Sequence, residues 1–292
     1  MVWSFALYMT QKLIMNKTKI EWTDSTWNPI IGCSPISTGC ANCYAKNMVR
    51  RFEGKLEIYK NLLRLNGHWN GNVNLNNNQL LKKFPKKPSQ KYFVGSMTDM
   101  FHENIPVEWL EKVFDIVKNN PQHVFQFLTK RADRMFDYFS NHDVHQNVWL
   151  GITAENQKNL DERLRYLIKI AAPIRFISAE PLLGEIDFRY TGQLLSNKDI
   201  NWVIAGGETQ FKARPMNPLW VRKIRDWCND EEIPFLFKGW GEWLPEEVIN
   251  ENKFNAKDWV FDGEWKMGRV GKKQMGEQNQ LLDGEKHLYF PK

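Results

Sequence analysis

The sequence is poor in cysteine, with four in 292 residues. Three of them lie within eleven residues, which excludes a disulfide framework and places the chain in a reducing compartment, the cytoplasm. It lacks any apolar run long enough to cross a bilayer, so no membrane association is expected. Its apolar start, MVWSFALYMTQKLIM, has no leading basic region and is broken by Ser4 and Thr10, which argues against a signal peptide. We read residues 1–18 as an extension outside the core, with the functional chain beginning near Met15. There is little charge of one sign: 40 Lys and Arg stand against 34 Asp and Glu, a net +6. That balance is compatible with a nucleic-acid or nucleotide partner without requiring one. No internal repeat stands out beyond the alternation of strand and helix. With 42% apolar and 25% charged residues, the composition is that of a folded globular protein.

What is present is a rhythm of short apolar runs: 27–33, 91–99, 123–131, 147–156, 174–181, 201–208 and 234–241. They are rich in Val, Ile, Phe and Trp and nearly unbroken, as strands buried on both faces are. Helical patterns lie between them, over 106–120, 159–170 and 218–230, with apolar residues such as Val107, Leu110, Val113, Phe114 and Val117 on one face. Strand and helix alternating at this spacing predict parallel βαβ units. The expected fold is an α/β chain, a complete or partial parallel β/α barrel over 19–241, with an open doubly wound sheet as the runner-up. The Asn- and Gly-rich stretch 66–78 reads as an insertion, and 242–292 as a small C-terminal appendage with short strands.

The strongest chemical signal is GCSPISTGCANCYAK, in which Cys33, Cys40 and Cys43 follow the first predicted strand at C-x6-C-x2-C spacing. Three thiolates suit three irons of a 4Fe–4S cluster and leave the fourth iron open. An open iron is able to chelate the amino and carboxylate groups of S-adenosylmethionine, whose carbon–sulfur bond an electron from the cluster then breaks. The alternative is a closed zinc site completed by His68 or His102. In that case the chain is a non-catalytic, metal-stapled binding protein. Cys228, in VRKIRDWCND, reads as an apolar-face helix residue.

A second signal is positional. In a β/α barrel the ligand site lies at the C-terminal strand ends, and here those ends are polar. They offer Ser96 and Asp99, Lys130, Glu155, Glu180, Gly206, Gly207 and Glu208, and Lys238. We expect Ser96, Asp99, Glu155, Gly206, Gly207 and Glu208 to serve the cofactor, and Lys130, Glu180 and Lys238 to be catalytic. Trp22 and Trp27 read as core aromatics.

KIEWTDSTWNP, GCSPISTGCANCYA, LTKR, WLGITAENQ, FISAEPLLG, WVIAGGE, ARPMNPLWVRKIRDWC and PFLFKGWGEW together resemble the phage-associated three-Cys-motif family, from about Lys19 to the end. The resemblance implies a radical-SAM-like barrel of unestablished reaction, distantly similar to radical enzymes that act on nucleic acids, such as spore photoproduct lyase. It also implies an electron donor and a three-Cys-motif partner protein. The usual radical-SAM spacing is C-x3-C-x2-C, and the first gap here is six.

Overall fold

The computed structural model describes residues 18, 20–190, 195, 198–210 and 212–291. The expected extension 1–18 lies outside them, apart from Thr18. In chain order, β1 (Ser25–Trp27) and β2 (Ile30–Ile31) are followed by α1 (Tyr44–Phe52), β3 (Asn74–Leu75) and the short α2 (Asn77–Leu80). Strand and helix then alternate: β4 (Lys91–Val94), α3 (Val107–Lys118), β5 (Val124–Thr129), α4 (Ala132–Phe139), β6 (Val148–Thr153) and α5 (Gln157–Leu167). The series closes with β7 (Ile174–Ala179), β8 (Trp202–Gly206), α6 (Pro218–Asp230) and β9 (Phe235–Gly239).

Seven strands form one parallel sheet in the order β1-β4-β5-β6-β7-β8-β9. A doubly wound sheet reverses its strand order at a switch point, whereas this order never reverses. Crossovers of one hand therefore put the helices on one face. The sheet curls into a partial barrel, with β1 and β9 as its two unjoined edges.

Residue alternation sorts the two faces. Tyr92, Val94, Phe125, Phe127, Leu150 and Ile152 face the helices in the main core. Phe93, Phe176, Trp202, Ile204 and Leu236 face the concave side, where Trp22 joins them. Gly151 is needed there, because a Cβ would collide with the Phe176 ring. Local sequence sets the helix starts. Pro106 precedes α3, Asn156 caps α5 by accepting from the Asn159 N–H (3.0 Å), and Asn217 with Pro218 opens α6. Cys228 is fully buried on the core face of α6.

The C-terminal region carries β10 (Trp243–Pro245), α7 (Glu246–Glu251), β11 (Ala256–Asp262) and β12 (Trp265–Val270), its three strands forming an antiparallel sheet. A hairpin of β13 (Leu281–Leu282) and β14 (Glu285–Lys286) follows. The last residues then return to the barrel. Phe237 donates its N–H to His287 O (2.9 Å), Tyr289 donates to Phe235 O (3.2 Å), and Leu288 pairs with Leu236. Leu288 and Phe290 complete the concave aromatic cluster. The concave side is thus filled at the N-terminal ends of the strands and polar toward their C-terminal ends.

Candidate functional site

The cysteine loop crosses the C-terminal edge of the half-barrel. It leaves β2 at Gly32, makes a 3-10 turn over Thr38–Cys40 and enters α1, for which Cys43 is the cap residue. Cys33, Cys40 and Cys43 are partly exposed free thiols. Cys33 and Cys43 rest on a small core of Ile31, Ala45, Val49, Leu62, Trp69 and Met97. Burial first, and Asp99 second, push the Cys33 thiol up to about 12, against the pull of Arg131. Metal binding at this residue would release its proton.

Three carboxylates from alternate strand ends hold the loop. Asp99, after β4, accepts from Thr129 Oγ1 (2.6 Å), the N–H groups of Phe101 and Lys130 (3.0 Å each) and an Arg131 Nη1 (3.2 Å). All four of its acceptor sites are used. Arg131 passes the connection to the loop by donating to Ser34 Oγ (2.8 Å) and to Glu103 (2.5 Å). Ser34 Oγ donates in turn to Glu103 Oε1 (2.7 Å). Burial raises the Glu103 carboxyl, but Arg131 and Ser34 outweigh it and hold the group at about 2.

Glu155, after β6, is fully buried. It accepts from Ser37 Oγ, from Asn159 Nδ2 (2.8 Å) and from Arg163 (2.7 Å), with Lys130 Nζ 3.7 Å away. Burial pushes its carboxyl up, and Lys130, Arg163 and Ser37 together bring it below the ordinary value. Gly39 passes directly over this carboxylate, where a Cβ would collide with it. Glu208, after β8, takes Arg214 through three N–H groups (2.5–2.9 Å) and Asn42 Nδ2 (2.9 Å). Arg214 also donates to Thr38 O (3.0 Å). Burial of Glu208 is likewise outweighed by Arg214 and Asn42, and its carboxyl lies below the usual range.

The other expected residues sit around this clamp. Ser96 donates to Asn28 Oδ1 (3.1 Å), and its carbonyl accepts from Tyr44 OH (2.5 Å). Glu180 and Lys238 form an ion pair at 2.9 Å, reaching from β7 and β9 across Gly206 of the intervening strand. By alternation with Phe176, Ser178 and Leu236, both lie on the concave side. Glu21 shares that interior. Burial raises its carboxyl, opposed first by Lys286 and also by Gln280 and Lys238. The room beside Gly207 is filled by the Trp240 carbonyl, so its lack of a side chain serves chain packing. Lys130 instead borders an open cleft of about 820 Å³ between the loop, α4 and α5, with Ser37, Thr38, Asn156 and Arg163.

Two candidates for a fourth ligand, Cys228 and His102, are engaged elsewhere. Cys228 is buried in α6. His102 is fully buried, and its Nδ1 accepts from the Asn104 N–H (3.1 Å). Its proton is therefore on Nε2, which donates to Ser34 Oγ (2.8 Å). Burial and then Arg131 keep the ring below its ordinary value and neutral. Among the described residues no group of three His, Cys, Asp or Glu is drawn together around a single ion. A four-iron cluster asks for a different arrangement, with one thiolate per iron.

Sequence reasoning missed Ser34, Ser37, Asn42, Glu103, Arg163 and Arg214 as parts of the site, and named His102 only as a zinc ligand. The signal available was their placement. Ser34, Ser37 and Asn42 stand between or beside the cysteines, and each of the others lies within eight residues of an acid of the clamp.

The fold and site define a half-barrel α/β protein with a three-cysteine loop clamped across its C-terminal strand edge. The chain belongs to the family described as "Protein of unknown function (DUF5131)", whose model matches residues 17–291. No curated protein matches it. Solved structures similar to it include a point mutant of spore photoproduct lyase, 10% identical with a TM-score of 0.43, covering 96% of this chain and 80% of that one. Another point mutant of that lyase, with dinucleoside spore photoproduct, is 12% identical, with a TM-score of 0.44 and coverage of 92% and 74%. A double mutant with bound AdoMet and the same photoproduct is 10% identical, with a TM-score of 0.43 and coverage of 92% and 74%. No helix among the described residues is long and apolar enough to cross a membrane.

Proposed function

We propose that this protein is an iron–sulfur enzyme of the radical S-adenosylmethionine type, with Cys33, Cys40 and Cys43 as the ligands of a 4Fe–4S cluster. The observation that carries this is three free, partly exposed cysteines on one clamped loop at the ligand edge of the half-barrel, with Cys228 and His102 otherwise engaged. When bound, the cluster supplies an electron and an open iron for S-adenosylmethionine, whose reductive cleavage activates a substrate.

The chain's own residues do the positioning. Asp99, Glu155 and Glu208 have their oxygens committed, so they fix the loop through Arg131, Ser37, Arg214 and Asn42. Ser96 supports the same edge through Asn28 and Tyr44. Glu180 and Lys238, half open on the concave side, are the groups left to meet the nucleoside end of S-adenosylmethionine or the substrate. Their mutual ion pair holds the two side chains together over Gly206 until a ligand separates them. Lys130 bridges the loop clamp and the cleft, where it suits an anionic group. Gly206 lets the Glu180–Lys238 pair close over its strand, and Gly207 allows the following turn. An external electron donor is required, and a three-Cys-motif partner protein is a candidate partner.

Anaerobic reconstitution with iron, sulfide and a strong reductant tests the reading. Cys33→Ala, Cys40→Ala and Cys43→Ala should each lose the cluster, and Cys228→Ala should keep it. The wild-type chain should slowly release 5′-deoxyadenosine and methionine from S-adenosylmethionine. Stoichiometric zinc in place of iron, or a full cluster that leaves S-adenosylmethionine intact and its own spin-resonance spectrum unchanged, would overturn it in favour of a metal-stapled binding protein.

A further inference from the structure

The net charge of the chain conceals a separation. From Tyr44 to Lys91 there are eleven Lys and Arg against two acids, Glu53 and Glu57. This sixth of the chain carries +9 and the remainder −3. Outside it, eleven cations among the described residues pair with carboxylates, Arg131, Arg163, Arg214, Arg222, Lys223 and Arg225 among them. Inside it, among the described residues, only Lys60 makes an ion pair, with Glu57 at 2.5 Å. Arg50, Arg51, Lys55, Arg64, Lys83 and Lys86 are exposed. A segment of +9 with a single ion pair among its described residues is the electrostatic footprint of a polyanion-binding surface.

The segment is also placed at the site. α1 begins at the residue after Cys43, and Lys46 Nζ donates to Ala41 O in the cysteine loop (3.2 Å). The small core beneath α1, built on Ala45, Val49, Leu62 and Trp69, is the one against which Cys33 and Cys43 pack. From there the charges run past α2 to Lys91, at the start of β4 and hence at the opposite edge of the sheet. Seven of the segment's eleven cations lie outside helices and strands, from Lys55 to Lys87, whereas an amphipathic membrane helix keeps its cations on one face. Exposed Asn61, Asn66 and Asn72 stand among them, with amides of the type that contacts phosphate and sugar oxygens.

We propose that the surface of residues 44–91 binds the phosphodiester backbone of a nucleic acid and brings the strand to the cysteine loop. The binding stands on charge and placement. What the strand is delivered for rests on the proposed function.

The test is fluorescence anisotropy of the full-length chain with labelled 20-nucleotide single-stranded and duplex DNA and RNA, titrated at several salt concentrations. Binding should weaken steeply with salt. The triple variant R50Q/R51Q/K55Q should bind at least tenfold more weakly at low salt, and its log–log salt slope should be smaller by about 2–3, near one unit per charge removed. Arg189→Gln, which removes an exposed cation paired with Asp230 outside the segment, should bind as wild type. Unchanged melting temperatures establish that the variants are folded. No oligonucleotide binding at 50 mM salt, equal losses in the triple variant and Arg189→Gln, or binding only to phosphatidylglycerol vesicles would overturn the proposal. Salt-dependent binding by a wild-type chain that fails to cleave S-adenosylmethionine would refute the proposed function and leave this surface standing.

Discussion

Glu155 shows how one side chain serves two purposes. Its buried carboxylate neutralises Arg163 and Lys130, and through Ser37 it fixes the loop between Cys33 and Cys40. A buried guanidinium that loses its partner costs about 3–5 kcal/mol, so Glu155→Ala should lower the melting temperature sharply and abolish iron uptake together. Gly39→Ala separates the two effects. Its Cβ would collide with the Glu155 carboxylate, so the loop must move, while the main core contains neither residue. Iron per chain should fall several-fold with less than about 1 kcal/mol of stability lost, as befits a loop change outside the core. Equal iron content in Gly39→Ala and wild type would mean that the close approach of loop and carboxylate is irrelevant to the metal.

Among the elements, the C-terminal return is the least expected and the most mechanical. Leu288 and Phe290 close the concave cluster around Trp22, Phe176 and Trp202, and Trp202 Nε1 donates to Tyr289 O (2.8 Å). The hairpin before them is tied down by Asp283, which accepts from Arg222 (2.7 Å) and Arg225 of α6. Ending the chain after Lys286 removes two half-buried hydrophobic side chains and uncovers the indole N–H. From apolar burial of this size a loss of about 2–4 kcal/mol is expected. Thermal unfolding and binding of a hydrophobic dye report it: the truncated chain should melt lower and bind dye before unfolding. A truncated chain with unchanged melting would show that the return is not part of the closure.

For the whole molecule, the division of labour between cores decides what loss of the proposed cluster would do. The main core lies between sheet and helices and includes none of the three loop cysteines, while Cys33 and Cys43 pack against the small cluster under α1. Metal removal should therefore loosen the loop and α1 without unfolding the barrel, unlike a zinc finger, which has no fold without its metal. Circular dichroism of the triple Cys33/Cys40/Cys43→Ala variant should keep its helix and strand signal and unfold cooperatively. Hydrogen exchange should quicken in 33–75 and stay slow in β5–β8. Collapse of the whole fold would mean that the metal holds the barrel together.

The alternation of strand and helix is legible in the sequence, although α1 and α4 fall outside its helical patterns. Unbroken Val, Ile and Phe runs mark the strands of the parallel sheet, one-faced apolar patterns over 106–120, 159–170 and 218–230 mark three of the helices, and the cysteine spacing marks the loop. These are readable because period and spacing act over a few residues. Only the tertiary structure decided how the polar strand ends are used. Asp99, Glu155 and Glu208 looked alike as carboxylates beside Glu180, yet three are committed to Arg131, Arg163 and Arg214 and to the loop, and one is paired with Lys238 on the concave side. Their partners in the loop lie up to 166 residues away in the chain, as Asn42 does from Glu208. The return of Leu288 to Leu236 and the cations left without ion pairs in 44–91 belong to the same class. A charge or an apolar side chain is visible in the sequence, but whether it is neutralised or covered depends on what the fold brings beside it.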